Sequence, residues 1–108
     1  MVQSSGLGVA LLEAVDQGLL VPGEIVRTAI YERIERSYQV KREEIPEKLE
    51  AFHVALQDLL GASASEVMEK LIAKNLYTHL GLQFTEQANW TLVDYVNHAR
   101  RLWKVRIR

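Results

Sequence analysis

Apolar residues recur at helical spacing along almost the whole chain. In five segments they repeat every three or four positions, the period that places side chains on one face of an α-helix. The five rows are Leu7, Leu11, Val15 and Leu19; Ile25, Ala29, Ile30 and Ile34; Leu49, Phe52, Leu56 and Leu59; Ala64, Met68, Ile72, Leu76 and Leu80; and Leu92, Tyr95, Val96, Ala99 and Leu102. The pattern predicts an all-α fold, a compact bundle of about five helices that bury these rows.

Glycine, proline and capping residues set the predicted ends of the first three helices. The first helix is predicted over 6–17, because Gly18 suits the left-handed conformation that often ends a helix. The second helix follows a proline-glycine break and extends to about Tyr38. The third is predicted over 46–60, since proline is favoured in the first helical turn.

The last two predicted helices begin at capping sequences. Ser63 precedes a glutamate at capping-box spacing, so the fourth helix should start there and end at Leu80. Residues 82–85 alternate in polarity and favour a short strand or an extended link. Thr91 should cap the fifth helix. After Trp103 the pattern alternates strictly, which predicts an extended C-terminal arm instead of another helical turn.

Length, composition and cysteine content fit one ordinary globular domain. The chain has 108 residues, 48% of them hydrophobic and 25% charged, and it contains no cysteine. Disulfides, zinc-thiolate sites and thiol nucleophiles are therefore excluded. The first residues lack the basic region of a signal peptide, and no apolar run is long enough to span a membrane. We expect a cytoplasmic protein without a membrane partner.

Charge is segregated along the chain, although the net charge is only -1. Residues 1–99 contain 8 Lys and Arg against 14 Asp and Glu, a balance of -6. Residues 100–108 contain five Lys and Arg and no acid, a balance of +5. We therefore predict a helical domain over 1–99 and a basic C-terminal arm over 100–108.

The basic arm is the candidate interaction site, and three interpretations of it are open. Its cations could contact nucleic-acid phosphates while the tryptophan stacks on a base. Its alternating apolar residues could instead bind a protein partner or a second copy. In the third interpretation the cations only complement the helix dipole and aid solubility. The candidate residues are Arg100, Arg101, Trp103, Lys104, Val105, Arg106, Ile107 and Arg108.

No catalytic, cofactor or metal motif is recognisable. The three histidines lie on three predicted helices without ligand spacing, and none of the four serines has the sequence context of a nucleophile. A group of glutamates at 43–50 is interleaved with basic residues and is typical of a solvated helix start. We predict no catalytic residue, no bound cofactor and no metal site, and hence no enzymatic activity.

Several segments of the chain resemble a family of small archaeal helical domains. These are Ala29–Tyr31, the hinge Lys41–Lys48 with its Lys-x-Glu-Glu-Ile-Pro sequence, Val67–Ile72 and Val93–Asn97. The family is described as an output module of two-component sensor proteins (the NitrOD type) that also occurs as stand-alone proteins. The resemblance covers about residues 14–100 and implies a signalling or interaction role without enzymatic activity. The basic arm lies outside it.

Together these observations predict a non-enzymatic intracellular signalling or protein-interaction domain. In this interpretation a helix face binds a protein partner or a second copy, with Trp103, Val105 and Ile107 as anchors and the neighbouring arginines as a polar rim. A homodimer would fit the apolar surface spread over short helices. The alternative function is a small nucleic-acid-binding regulator that uses the basic arm.

Overall fold

The computed structural model describes the backbone of residues 2–106 and the side chains of residues 6–103. Five α-helices and one 3-10 helix follow one another, and the described range contains no strand. The bounds are α1 Val2–Leu20, α2 Glu24–Tyr38, the 3-10 helix Arg42–Glu47, α3 Leu49–Leu60, α4 Ala62–Leu80 and α5 Leu92–Arg106. The prediction of an all-α bundle is confirmed.

A single hydrophobic core receives side chains from all six helices. α1 packs along α4, and α3 and α5 pack against α4 as well. The side chains with no measurable exposure include Leu11 of α1, Phe52 of α3, Ile72 of α4 and Leu92 of α5. The Cα radius of gyration is 13.3 Å, close to the value of about 13 Å expected for a folded 100-residue chain.

α1 is longer than predicted because Gly18 is a packing residue and not a helix end. The helix continues past Gly18 to Leu20. A Cβ atom at Gly18 would lie only 2.7 Å from Cγ1 of Ile72, which is fully buried in α4. The missing side chain therefore lets α1 and α4 approach closely. The prediction that Gly18 ends the first helix was wrong, because the sequence does not distinguish a glycine that ends a helix from one that allows close helix packing.

The segment predicted as a hinge and the start of the third helix is instead a separate 3-10 helix containing Pro46. The Lys41 amide donates to Oε1 of Glu44 at 3.0 Å, which satisfies one amide at its start. α3 then begins at Leu49, three residues later than predicted. The short helix buries Ile45 in the core, so this acidic stretch is an ordered connection between α2 and α3.

Four of the predicted helix ends hold, and one predicted cap does not form. The ends of α2 at Tyr38 and of α3 at Leu60 are as predicted. α4 ends at Gly81 in the left-handed conformation (φ 71°). The Thr91 amide donates to Oδ2 of Asp94 at 2.9 Å at the start of α5, as the capping spacing predicts. α4, however, begins at Ala62 without a side-chain cap, and Ser65 donates to the Ala62 carbonyl at 3.1 Å.

The extended C-terminal arm is contradicted over residues 104–106, because α5 continues through Arg106. An extended segment needs a neighbouring strand to satisfy its backbone, whereas lengthening an existing helix satisfies one more amide per residue. Lys and Arg are also good helix formers. Ile107 and Arg108 lie outside the described residues. Residues 82–85 form an irregular link and not a strand.

Candidate interaction surface

Exposed apolar side chains concentrate at the corner where α1 turns into α2. Seven large hydrophobic residues are exposed in the described part of the chain, and four of them fall within residues 20–26. These four are Leu20, Val21, Ile25 and Val26. Ile25 is 86% exposed, the largest value of the seven. Isolated exposed apolar residues are common in globular proteins, whereas four of them within one short stretch favour a binding surface.

Ile25 is exposed because of its position around α2. Helix α2 buries only Ile30 and Ile34. Ile25 precedes Ile34 by nine residues, about two and a half helical turns, so the two side chains lie on opposite sides of the helix. The prediction that Ile25 and Ala29 share an inward face with Ile30 and Ile34 was therefore wrong. The apolar row spans half the circumference of α2, and the fold buries one edge of it and leaves the other open.

A shallow, open depression lies on this outward side of α2, lined by residues of that one helix. Ile25, Thr28 and Ala29 line it, and Glu24 and Glu32 stand at its two ends along the helix. All five residues are exposed. Within the described side chains, neither glutamate takes part in an ion pair. The groove is therefore mainly apolar between two negatively charged ends. We call it the α2 groove.

A polar cluster around Asp16 of α1 fixes the orientation of α2. The Tyr31 hydroxyl donates to Oδ1 of Asp16 at 2.5 Å. Arg42 of the 3-10 helix donates through Nε to Oδ1 at 2.9 Å and through Nη2 to Oδ2 at 2.5 Å. Arg27 donates to the Asp16 carbonyl at 3.3 Å. These bonds join three helices at one carboxylate, so they hold the α2 groove outward.

The same contacts shift the pKa of two groups in the cluster. Burial by itself raises the pKa of the Asp16 carboxyl, but hydrogen bonds from Arg42 and Tyr31 outweigh it, and the net pKa lies below the ordinary value of 3.8. Burial, together with the hydrogen bond to Asp16, raises the pKa of Tyr31 well above its ordinary range. Asp16 is therefore ionised and Tyr31 neutral at neutral pH, which is the state these bonds require.

A second polar cluster surrounds the buried carboxylate of Glu69 in α4. Oε1 of Glu69 accepts from the Leu92 amide at 2.8 Å, and Oε2 lies 2.6 Å from Nδ1 of His53. Glu69 is only 5% exposed. Leu92 is the first residue of α5, so Glu69 satisfies one of the free amides at the start of that helix. We interpret the cluster as a structural tie between α3, α4 and α5.

No sequence pattern singled out Glu69, and His53 was noted only as one of three histidines without metal-ligand spacing. A glutamate in mid-helix, 23 residues from the amide that it binds, gives no local signal. The only hint in the sequence is that position 69 lies three residues before Ile72, at the edge of the apolar row of the fourth helix. Its partners are set by the packing of α5 on α4.

The other two histidines lie elsewhere and do not join His53. His79 lies near Gln17 and Glu13 of α1, with Nε2 3.2 Å from Oε1 of Gln17. His98 packs against the rings of Tyr77 and Trp90. Over the described residues, no group of three or more histidines and carboxylates could hold a metal ion.

The predicted interaction residues at the end of α5 have different environments in the structure. Arg100 donates through Nη2 to the Pro46 carbonyl at 3.2 Å, which ties α5 to the 3-10 helix. Arg101 is exposed. Trp103 is partly buried against the core and lies beside Gly6 of α1, so it is already packed within the molecule. The side chains of Lys104, Val105 and Arg106, like the whole of Ile107 and Arg108, lie outside the described part.

No family model, curated protein or solved structure matches this chain. None of the described helices is long and apolar enough to cross a membrane.

Proposed function

We propose that this chain is a non-enzymatic protein-interaction domain of the signalling-output kind, acting in the cytoplasm through the α2 groove. The observation that carries the proposal is the 86% exposure of Ile25, one of four exposed apolar side chains within residues 20–26. A protein partner that covers Ile25 would gain free energy of about 1.5–3 kcal/mol from burying this one side chain. The resemblance to output domains of sensor proteins agrees with such a role.

Hydrogen bonds and core contacts hold this surface in place. The bonds of Asp16 with Tyr31 and Arg42 hold α2 against α1, and Ile30 and Ile34 anchor it in the core. A rigid, preformed surface loses little conformational entropy when a partner binds, which favours affinity. The groove therefore has the two properties that a docking site needs, exposed apolar area and fixed geometry.

Nucleic-acid binding by the end of α5 is the alternative function, and the described contacts favour it less. Arg100 is engaged with the Pro46 carbonyl, in a segment that also carries Glu43, Glu44 and Glu47. These carboxylates would repel a phosphate backbone approaching from that side. The alternative predicts affinity for duplex DNA that falls steeply with salt, whereas binding through an apolar groove depends much less on salt.

Matched substitutions on two exposed helix surfaces test the proposal. Ile25→Asp removes the apolar centre of the groove, and Val67→Asp makes the same kind of change at a residue of α4 that is 69% exposed. Position 25 lies in the first turn of α2, where an aspartate is favourable, so the variant should fold normally. Equal thermal unfolding midpoints for both variants and the parent protein establish this.

The test compares the proteins that co-purify from the native source with the parent chain and with each variant. We expect a partner that the parent chain and Val67→Asp retain and Ile25→Asp loses. The purified partner should then bind in calorimetry with the same preference. If all three chains retain the same proteins, the α2 groove is not a docking site.

A further inference from the structure

We infer that the α2 groove of one molecule binds the basic C-terminal segment, residues 104–108, of a second copy of the same chain. This inference rests on the proposed function, since it names the occupant of the same groove. Three observations support it: the charges of the groove and the segment, the apolar residues in each, and the distance between them within one molecule.

The charges of the groove and the segment are opposite. Glu24 and Glu32, at the ends of the groove, are exposed and form no ion pair among the described side chains. Residues 104–108 carry three cations and no acid. Arg33 and Arg36 follow on the next turn of α2, but neither lines the groove. A basic ligand is therefore attracted to the groove, and a second acidic surface is repelled from it.

The apolar parts also correspond. The groove exposes Ile25 and Ala29, and the C-terminal segment supplies Val105 and Ile107 between its cations. One apolar contact flanked by ion pairs at both ends is the usual arrangement of a protein interface, with an apolar centre and a polar rim. This makes the segment of a second copy a better occupant than the α2 groove of a second copy, which would bring its own Glu24 and Glu32.

Within one molecule the segment is too short to reach the groove. Trp103 lies beside Gly6, and α2 is fixed at the level of Asp16, which is about 15 Å further along α1. The outward face of α2 adds a further helix diameter of about 10 Å. From Trp103 the helical residues 104–106 advance about 4.5 Å, and two fully extended residues add about 7 Å. The contact must therefore form between molecules.

Binding of this kind is head-to-tail, because the groove and the segment are different surfaces of the same chain. Head-to-tail contacts form rings when the rotation between molecules closes, and open chains when it does not. A five-residue segment buries less than the roughly 800 Å² per partner of a standard interface, so we expect micromolar or weaker association. The oligomer should grow with protein concentration.

Two complementary defects test the inference. Ile25→Lys removes the apolar centre of the groove and repels the basic segment, which it leaves intact. The double variant Val105→Asp with Ile107→Asp destroys the segment but keeps the groove. The experiment is sedimentation velocity of each full-length protein over a concentration series up to about 1 mM, well above the Kd expected for such a small interface. Val67→Lys is the control for the same charge added on an unrelated helix surface.

The inference predicts that the parent chain and Val67→Lys associate, and that the groove variant alone and the segment variant alone each associate at least about 30-fold more weakly, the effect of losing one buried anchor. An equimolar mixture of the two defective variants should form a 1:1 dimer that does not grow, because only one intact groove can meet one intact segment.

Two results would overturn the inference. Self-association that survives in the segment variant would show that the segment is not the occupant of the groove. A parent chain that stays monomeric throughout the series would show that the chain does not bind itself. Either result leaves the proposed function standing if Ile25→Asp still abolishes binding of a different protein, so the two failures can be told apart.

Discussion

Replacing Gly18 with alanine should destabilise the protein, even though alanine is the better helix former. Gly18 lies inside α1, where alanine gains about 0.5–1 kcal/mol over glycine. Its new Cβ, however, would be 2.7 Å from Cγ1 of Ile72, about 1 Å closer than an ordinary carbon contact. Ile72 is fully buried and branched at Cβ, so that atom cannot move aside freely.

The matched control is Gly8→Ala in the same helix. The nearest atoms to a Cβ at Gly8 are Cβ and Cγ of Pro46, both at 3.9 Å, which is an ordinary contact. Both substitutions gain the same helix contribution, so the difference between them isolates the steric overlap. Overpacking of this kind costs about 1–3 kcal/mol, and we expect that difference in the free energy of unfolding. Gly8→Ala should be slightly more stable than the parent chain.

Urea unfolding followed by circular dichroism measures both free energies, and equal m-values confirm that the same surface is exposed in each case. A double-mutant cycle strengthens the assignment. In an Ile72→Ala background the obstructing atom is absent, and Gly18→Ala should become stabilising, as Gly8→Ala is. If Gly18→Ala is as stable as Gly8→Ala in the unmodified background, the close approach of α1 and α4 at Gly18 is refuted.

Two further predictions concern the polar clusters. Glu69→Leu keeps a side chain of similar size but removes both acceptor oxygens, so the buried Leu92 amide and His53 lose their partner. We expect the free energy of unfolding to fall by about 2–4 kcal/mol. An unchanged urea midpoint would contradict the structural role of Glu69. The folded-state pKa of Asp16 is below 3.8, so the ionised carboxylate stabilises the folded protein above that pH. This stabilisation is lost as the pH falls through the lowered pKa. Thermal unfolding over an acid series should therefore show a weaker pH dependence in Asp16→Asn, and a curve parallel to that of the parent chain would contradict this.

The parts of the fold that could be predicted depend on local sequence. The end of α2 at Tyr38 and the end of α4 at Gly81 follow from apolar periodicity and glycine placement. The start of α5 follows from Thr91 and its capping aspartate. Each of these features is decided within one or two helical turns, so the residues that decide it lie next to one another in the sequence.

The features that could not be predicted depend on contacts between distant segments. The role of Gly18 is set by Ile72, and that of Glu69 by Leu92. For α5, an alternating sequence could only be extended if a neighbouring strand were available, and the described chain offers none. Local sequence patterns indicate which residues are apolar or flexible, but they do not predict which distant residue each one contacts in the fold.

The candidate site illustrates the same limit. The apolar row of α2 was visible in the sequence. Which edge of the row is buried and which is exposed, however, is determined by the contacts that Ile34 and Tyr31 make with other helices. A helical projection of the row does give a signal, since residues nine positions apart cannot both face one core. The predicted anchor Trp103, in contrast, is partly used in packing against the molecule itself.

Contact at position 25 is the most direct test that the α2 groove is a docking surface. A photoreactive amino acid is placed at position 25 in one chain and at position 67 in another, the protein is irradiated in its native source, and the adducts are identified by mass spectrometry. We predict protein adducts at position 25 that greatly exceed those at position 67, attached to one defined polypeptide segment. Equal and scattered adducts at both positions would contradict the central claim.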